Sequence, residues 1–376
     1  MSYRIVAKAT LLTLALTLLC AAPSWATQFR RVTSDPARET DPAPSPDGKW
    51  LAYSSDQGGS SQIWVMPIAG GPARRITSEP ESIAVKDPAH HDSTHWVPVR
   101  ASTPTWARDS KSLLYISTRS ERYNVYSVPL EGGEAHALAS PIGNNRFAVY
   151  SPDGTKIAFY SNRLNPGGLF SFNVYVMDAA GESPDRMARE LTHGEGSPGH
   201  PTWSPDGRWI AYVSRSVDTT KTIDIGKGMT MKQNALFATY KLWKSPAAGG
   251  HAVRVAAPVG GSDAFEDTWP TWSPVDPRWI AVGRRVGSQQ NVWIIDAATG
   301  KGFPLTNTGN AGKPTWSPDG KAIYYSVTVS KDNEDIWVAT DLTLRPPAAG
   351  KVVPARRTTG SAKKTPPVGT KTATKK

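Results

Sequence analysis

The chain has 376 residues and a single cysteine, Cys20, which excludes a fold held together by disulfides. Its formal net charge is +11, from 43 basic and 32 acidic residues, but eleven of the basic residues lie within the first eight positions or after position 344. The body between them is close to neutral, so the charge gives no argument for a nucleic-acid partner, and we expect none.

Residues 1–26 have the composition of a signal peptide. Arg4 and Lys8 precede the apolar run 9–22, and residues 24–26 (Ser, Trp, Ala) match a small-x-small cleavage site. The apolar run is too short to favour a membrane-spanning helix. We therefore predict export to the periplasm, with secretion from the cell as the alternative.

A hairpin pattern then recurs along the chain, and its best copy is PTWSPDGRWIAYV at 201–213. Proline presets φ, aspartate bonds its own backbone and glycine accepts positive φ, so Ser-Pro-Asp-Gly predicts a tight turn between two strands. The first strands of the six copies open at Pro42, Pro104, Phe147, Pro201, Pro270 and Pro314.

Each hairpin is followed by an apolar third strand, a glycine turn and a short fourth strand. The third strands are Ile63–Met66, Val125–Val128, Val174–Met177, Leu242–Lys244, Val292–Ile295 and Ile336–Val338. Four strands repeated six times predict an all-β fold, a six-bladed β-propeller.

The sixth unit lacks a fourth strand, because the chain becomes rich in Pro, Lys and Thr after Leu342. The orphan strand Phe29–Thr33 ends like the other fourth strands, so we expect this N-terminal strand to close the last blade. The predicted propeller spans 27–344. The tail, 345–376, has nine basic residues and no acidic one, which predicts disorder.

The six copies of the Pro-x-Trp-Ser-Pro-Asp-Gly pattern resemble the propeller repeat of the TolB family of the Tol–Pal envelope system. The resemblance covers roughly residues 29–342, the propeller only. In that family an α/β domain precedes the propeller, whereas here the predicted signal peptide runs almost directly into the closing strand. Similar blades also occur in prolyl peptidases and in lyases of pectin fragments.

The spacing between copies is uneven, and the extra residues fall mainly in 78–102, 163–172, 216–238 and 257–268. All four segments are expected on one face of the propeller, where binding loops are usually found. The residues just before the first strands are expected at the channel mouth on that face: Asp41, Thr103, Arg146, His200, Trp269 and Lys313.

Trp96 and Trp269 lie within or directly next to the inserted segments, where an aromatic ring anchors a partner, stacks on a sugar or fixes its own loop. The predicted ligand- or partner-binding residues are Asp41, Trp96, Arg146, His200, Trp269 and Lys313. The alternative is a hydrated channel lined by whatever the blades tolerate.

We assign no catalytic residue, no metal site and no cofactor. The chain has no Gly-x-Ser-x-Gly elbow, and the stretch 90–95 (HHDSTH) has ligand residue types without a metal-binding spacing. The acids Glu195, Asp263, Glu266 and Asp267 are expected in loops on the same face as the inserted segments, where acid–base chemistry and simple solvation are both open.

The sequence therefore favours a non-enzymatic, protein-binding scaffold of the bacterial cell envelope. The resemblance implies an envelope protein of the peptidoglycan-associated lipoprotein type as partner. The alternative is a propeller that binds or cleaves carbohydrate at the channel mouth. The basic tail is expected either to contact an anionic polymer or lipid surface or to act as a solubilising segment.

Overall fold

The computed structural model describes most of the body of the chain. The described residues are 26–86, 94–166, 171–183, 186–193, 196–215, 221–224, 230–233, 239–255 and 264–344. The predicted signal peptide, apart from its last residue, and the predicted basic tail lie outside them and stay predictions.

The described residues form strands and no helix. The strands of the first half, in chain order, are β1 (Gln28–Arg31), β2 (Glu39–Pro44), β3 (Trp50–Ser55), β4 (Gln62–Pro67), β5 (Arg74–Arg75), β6 (Ser82–Lys86), β7 (Thr94–Pro98), β8 (Ala101–Trp106), β9 (Ser112–Ser120), β10 (Arg122–Pro129), β11 (His136–Ala137), β12 (Asn145–Tyr150), β13 (Lys156–Ser161), β14 (Asn173–Asp178) and β15 (Arg189–Glu190). Those of the second half are β16 (Gly199–Trp203), β17 (Trp209–Arg215), β18 (Lys221–Asp224), β19 (Thr230–Gln233), β20 (Tyr240–Pro246), β21 (Val253–Arg254), β22 (Phe265–Trp272), β23 (Trp279–Val286), β24 (Gln289–Asp296), β25 (Gly302–Pro304), β26 (Ala311–Trp316), β27 (Ile323–Ser330) and β28 (Asn333–Thr340).

Within this described part, the strands build six four-stranded antiparallel sheets and two small hairpins. The blades are β2–β5, β8–β11, β12–β15, the set β16, β17, β20 and β21, then β22–β25, and finally β26–β28 with β1. The hairpins β6–β7 and β18–β19 lie in two of the inserted segments. The predicted all-β, six-bladed propeller is confirmed.

The turns after the first strands have the chemistry that the sequence predicts. The Ser45 hydroxyl and the Lys49 backbone N–H both donate to Asp47 Oδ1, at 2.6 and 3.1 Å, while Gly48 has φ 72°. The hydroxyl bond lowers the pKa of the Asp47 carboxyl, because it stabilises the charged form. Equivalent serine–aspartate bonds occur at Asp153, Asp206 and Asp319, which confirms these residues as turn formers.

The first strands lie next to one another around a central axis. Each of β2, β8, β12, β16, β22 and β26 contacts the next one, and β26 contacts β2, so the ring is closed. Apolar side chains fill the spaces between neighbouring blades, as where Ile63 of the first blade packs in one cluster with Leu113 of the second. Trp106 of the second blade also donates from Nε1 to the Ala43 carbonyl of the first, at 2.8 Å.

The N-terminal strand completes the last blade, as the sequence predicts. β1 pairs antiparallel with β28, from Gln28 opposite Thr340 to Arg31 opposite Trp337. The Val32 N–H donates to the Ile336 carbonyl at 2.7 Å, and Arg31 Nη2 lies 2.7 Å from Asp335 Oδ2. The ring is therefore closed by hydrogen bonds between the two ends of the propeller.

The fourth strands of the first five blades are two or three residues long, as in β5 and β25, in agreement with the predicted short fourth strands. One local feature differs from the sequence prediction. Residues 265–268, which the sequence assigns to an inserted loop, form the start of β22 instead, because they pair with residues 283–286 of β23.

Candidate functional site

Every first strand contains a β-bulge at the same place. One residue in each has a positive φ between 44° and 54°, and the pairing register with the second strand shifts across it. These residues, called the ring residues below, are Asp41, Thr103, Phe147, His200, Trp269 and Lys313.

Proline accounts for the bulge in five blades, while the third blade has the bulge without a proline. Proline follows the ring residue in those five blades, and since proline has no N–H to give to a ladder, it is confined to strand edges and bulges. The ring residues thus lie inside the first strands, not just before them as the sequence suggested. In the third blade, the positive φ and the pairing register show that Phe147 occupies the ring position, and not the predicted Arg146. The prediction was wrong by one residue because Ala148 stands where the other blades have proline.

The ring residues line a cavity of about 560 Å³ on the propeller axis. At its other end the cavity is lined by turn residues, namely Pro46, Arg108, Pro152, Pro205, Pro274 and Pro318. The cavity therefore extends from the ring towards the face formed by the turns, and not towards the face where the sequence analysis places the inserted segments and the binding site.

One side of the ring is ionic. Lys313 Nζ lies 3.5 Å from Asp41 Oδ1 and 3.5 Å from Glu334 Oε2. Ser54 connects this side to the second blade, because its hydroxyl donates to Asp41 Oδ2 at 3.1 Å and accepts from the Thr103 N–H at 3.0 Å.

The opposite side of the ring is aromatic. The His200 ring centroid lies 4.0 Å from that of Phe147 and 5.5 Å from that of Trp269. Lys313 Nζ lies 5.4 Å from the Trp269 ring centroid, so the two sides meet there as a cation–π contact. The cavity floor therefore offers charge on one side and flat apolar surface on the other.

Three ring residues have buried polar atoms without a hydrogen-bond partner in the part of the chain that the structure describes: Thr103 Oγ1, His200 Nδ1 and Trp269 Nε1. An unsatisfied buried donor or acceptor costs about 1–3 kcal/mol, so such atoms favour a ligand or water that supplies the missing bond.

His200 is a neutral group. Burial lowers the pKa of His200 to about 3, and the positive charges of Arg146 and Lys313 act in the same direction. A neutral imidazole offers one donor and one acceptor nitrogen, which suits binding, whereas a general base works best with a pKa near the operating pH.

Glu39, two residues before the ring in β2, titrates in the opposite sense. Burial raises the pKa of Glu39 to about 7, the Asp35 and Asp335 charges raise it further, and Thr33 and Arg31 oppose them. Its Oε2 atom is buried and has no hydrogen-bond partner among the described residues.

These two groups predict a pH profile that two substitutions separate. The contribution of Glu39 to the unfolding free energy is fully present below pH 4.5 and is lost as the pH rises to 7. The contribution of neutral His200 is lost as the pH falls below 6.5. When the pH is lowered from 6.5 to 4.5, the unfolding free energy of His200→Gln should rise, and that of Glu39→Gln should fall, relative to the unsubstituted chain. Each change should reach up to about 2 kcal/mol. Urea unfolding at both pH values measures this, and parallel profiles of the two variants would contradict it.

The other predicted site residues do not line the cavity. Trp96 lies on β7 with 69% of its surface exposed and does not line the cavity. Arg146 lies next to the ring, against the Tyr123 ring. Asp267 is paired with Arg284 in the interior, which removes it from solvent-side acid–base chemistry. Glu195 and Asp263 lie outside the described residues.

The structure gives no metal cluster in the part that it describes. Within the described residues, no group of three or more His, Cys, Asp or Glu side chains could hold a metal ion. His90 and His91 lie outside those residues, while His95 lies on β7 and is exposed. None of the described segments forms a helix with the length and hydropathy needed to span a bilayer.

A family model described as TolB beta propeller domain matches residues 97–222, in the second, third and fourth blades. These blades carry TolB-type repeats, and the fold of the chain is a six-bladed β-propeller. Among solved structures, the putative TolB from Agrobacterium tumefaciens matches this propeller with a TM-score of 0.57 and 19% identity, covering 84% of this chain and 97% of that one. At this identity the likeness shows the fold alone.

Two curated relatives match about half of this chain. The uncharacterized peptidase YuxL of Bacillus subtilis is 30% identical over 191 residues, which are 50% of this chain and 23% of that protein. The Tol-Pal system protein TolB of Francisella tularensis is 26% identical over 224 residues, which are 50% of this chain and 49% of that protein. The chain thus matches half or less of the length of these relatives.

Proposed function

We propose that this chain is a periplasmic scaffold of the cell envelope that binds a protein partner through its central cavity. The observation that carries the proposal is the asymmetric ring. The Asp41–Lys313 pair and the aromatic side formed by Phe147, His200 and Trp269 meet at the floor of one cavity. An aromatic anchor beside a charged pair is the composition of an interface hot spot.

The similarity to a Tol-Pal system protein supports an envelope protein as partner, and one of the peptidoglycan-associated lipoprotein type is the first to test. The low pKa of His200 and the pairing of Asp267 with Arg284 support binding without catalysis, because both groups are poorly suited to proton transfer at neutral pH.

A pull-down from envelope extract tests the proposal, with the exported form of the chain as bait. We expect one stoichiometric protein partner, and we expect Trp269→Ala to weaken it about tenfold or more, since losing a buried aromatic anchor costs about 2 kcal/mol or more. Affinity is then measured with the purified partner by calorimetry.

Two control variants locate the interface. Met187→Ala removes a side chain that is half exposed and outside the cavity, and should leave the affinity unchanged. Trp96→Ala tests the β6–β7 hairpin. A partner that is lost with Trp96→Ala and kept with Trp269→Ala would overturn the assignment to the cavity.

Carbohydrate binding is the second candidate, and the aromatic side of the ring favours it. A sugar ring stacks on Trp269, and the free His200 Nδ1 and Thr103 Oγ1 suit its hydroxyl groups. A thermal-shift screen with neutral and acidic oligosaccharides separates the two candidates. Saturable sugar binding that Trp269→Ala abolishes would replace the protein-binding proposal.

A further inference from the structure

Arg146 breaks the pattern of the blades. The residue just before the ring residue is small in the five other blades, and the large cation appears only in the third. Those five residues are Thr40, Ser102, Gly199, Thr268 and Gly312. A large charged side chain at a position that otherwise holds glycine, serine or threonine is not needed to build a blade.

The Arg146 side chain lies between aromatic rings. Its guanidinium carbon is 3.7 Å from the Tyr123 ring centroid and 5.8 Å from that of Phe172. The Tyr160 hydroxyl accepts a hydrogen bond from the guanidinium, and the Tyr160 ring contacts the ring residues Phe147 and His200. Arg146 therefore lies next to the ring residues without lining the cavity. Stacking of this kind holds a planar guanidinium in one orientation.

Arg146 lacks a carboxylate partner among the described residues, and its Nε atom is buried without a hydrogen-bond acceptor there. The residue as a whole remains partly exposed. A guanidinium that is desolvated on one edge and has no counter-ion is costly unless something else supplies the negative charge.

Three other arginines with partly or fully buried side chains are paired with carboxylates. Arg119 Nε donates to Glu79 Oε2 at 2.7 Å. Arg163 binds both oxygens of Glu182, with Nη2 3.1 Å from Oε2. Arg284 binds both oxygens of Asp267 at 2.7 and 3.1 Å. In these three cases the fold supplies a carboxylate to the arginine, which it does not do for Arg146 among the described residues.

We propose that Arg146 binds a carboxylate group presented by the protein partner, an inference that rests on the proposed function. The fork of guanidinium N–H groups matches the two oxygens of a carboxylate, and charge-assisted bonds of this kind are the strong ones. The aromatic rings of Tyr123 and Phe172 exclude water from the faces of the fork. The acidic group then lies next to the ring residue Phe147, while the rest of the partner contacts the ring.

Small probes test the site without the partner. Benzoate carries a planar carboxylate and benzamide is its neutral counterpart, and binding is followed by the side-chain Nε–H signal of Arg146 in ¹⁵N-labelled protein. We expect saturable shifts with benzoate and none with benzamide. Arg146→Met should abolish benzoate binding, and Arg146→Lys should weaken it roughly tenfold because an ammonium group lacks the fork.

Arg122→Met removes an exposed arginine and is the matched control, which should bind benzoate as the unsubstituted chain does. A melting temperature is measured for each variant to establish that it is folded. If Arg146→Met does not fold, Arg146→Lys still tests the proposal. Equal benzoate affinity in the unsubstituted chain and the folded Arg146 variants, measured by calorimetry, would overturn the proposal.

Two longer probes distinguish the source of the carboxylate. A glutamate-containing hexapeptide should bind more tightly than a uronic-acid disaccharide, and the reverse order would overturn a protein source. Failure of this inference is separable from failure of the proposed function. If the partner is lost with Trp269→Ala but kept with Arg146→Met, the scaffold proposal stands and the carboxylate proposal fails. If benzoate binding depends on Arg146 but no protein is captured, the carboxylate site stands and the scaffold proposal fails.

Discussion

Deleting residues 27–34 should lower the melting temperature by about 10 °C or more, because each kcal/mol of unfolding free energy that is lost lowers it by several degrees. The deletion removes β1, its pairing with β28 and the Arg31 partner of Asp335, whose side chain is 1% exposed. A buried carboxylate left unpaired costs about 3–5 kcal/mol by itself. The exposed edge of β28 should also promote aggregation.

Deletion of residues 345–376 is the matched control for this experiment. That segment is the predicted disordered tail, so its removal should leave the melting temperature unchanged within about 1 °C. Differential scanning calorimetry of the two truncated chains and the intact one makes the comparison. If both truncations melt like the intact chain, the closing strand does not hold the ring.

Arg284→Met should cost about 3–5 kcal/mol of unfolding free energy, because it leaves Asp267 charged and unpaired in the interior. The Arg284 and Asp267 side chains are 1% and 0% exposed, and the guanidinium also packs 4.1 Å from the Phe265 ring centroid. Urea denaturation of the purified variant gives the value.

Two further variants show that the cost comes from the orphaned charge. Asp267→Asn combined with Arg284→Met should recover part of the loss, since no full charge then remains at the site. Arg278→Met breaks the pair with Asp296, in which the arginine side chain is 60% exposed, and should cost less than about 1 kcal/mol. Equal losses for Arg278→Met and Arg284→Met would contradict the expectation.

The architecture could be predicted because its signals are local. The Ser-Pro-Asp-Gly turns depend on hydrogen bonds between residues two to five apart, as around Asp47, so each hairpin is visible in a short window. The closing strand could be predicted because the last unit lacks a strand and the first has one too many. Repetition then gave the number of blades.

The candidate site was less accessible from the sequence. The bulge could have been predicted, since a proline inside a strand pattern indicates one. The third copy of the repeat has Ala148 in that place, so the ring position in that blade was predicted one residue too early, at Arg146. The division of the ring into an ionic and an aromatic side depends on contacts between blades, such as Lys313 with Asp41, which are 272 positions apart. No local pattern contains such contacts.

The antiparallel closure also determines how the propeller responds to force. Gln28 lies opposite Thr340, so the two ends of the propeller leave the last blade at the same edge. Tension applied at these ends loads the β1–β28 hydrogen bonds one after another, as in unzipping, instead of shearing them all together. The ring should therefore open at low force, beginning at the β1–β28 pairing. If the chain is held at both ends, this pairing separates before the rest of the propeller unfolds.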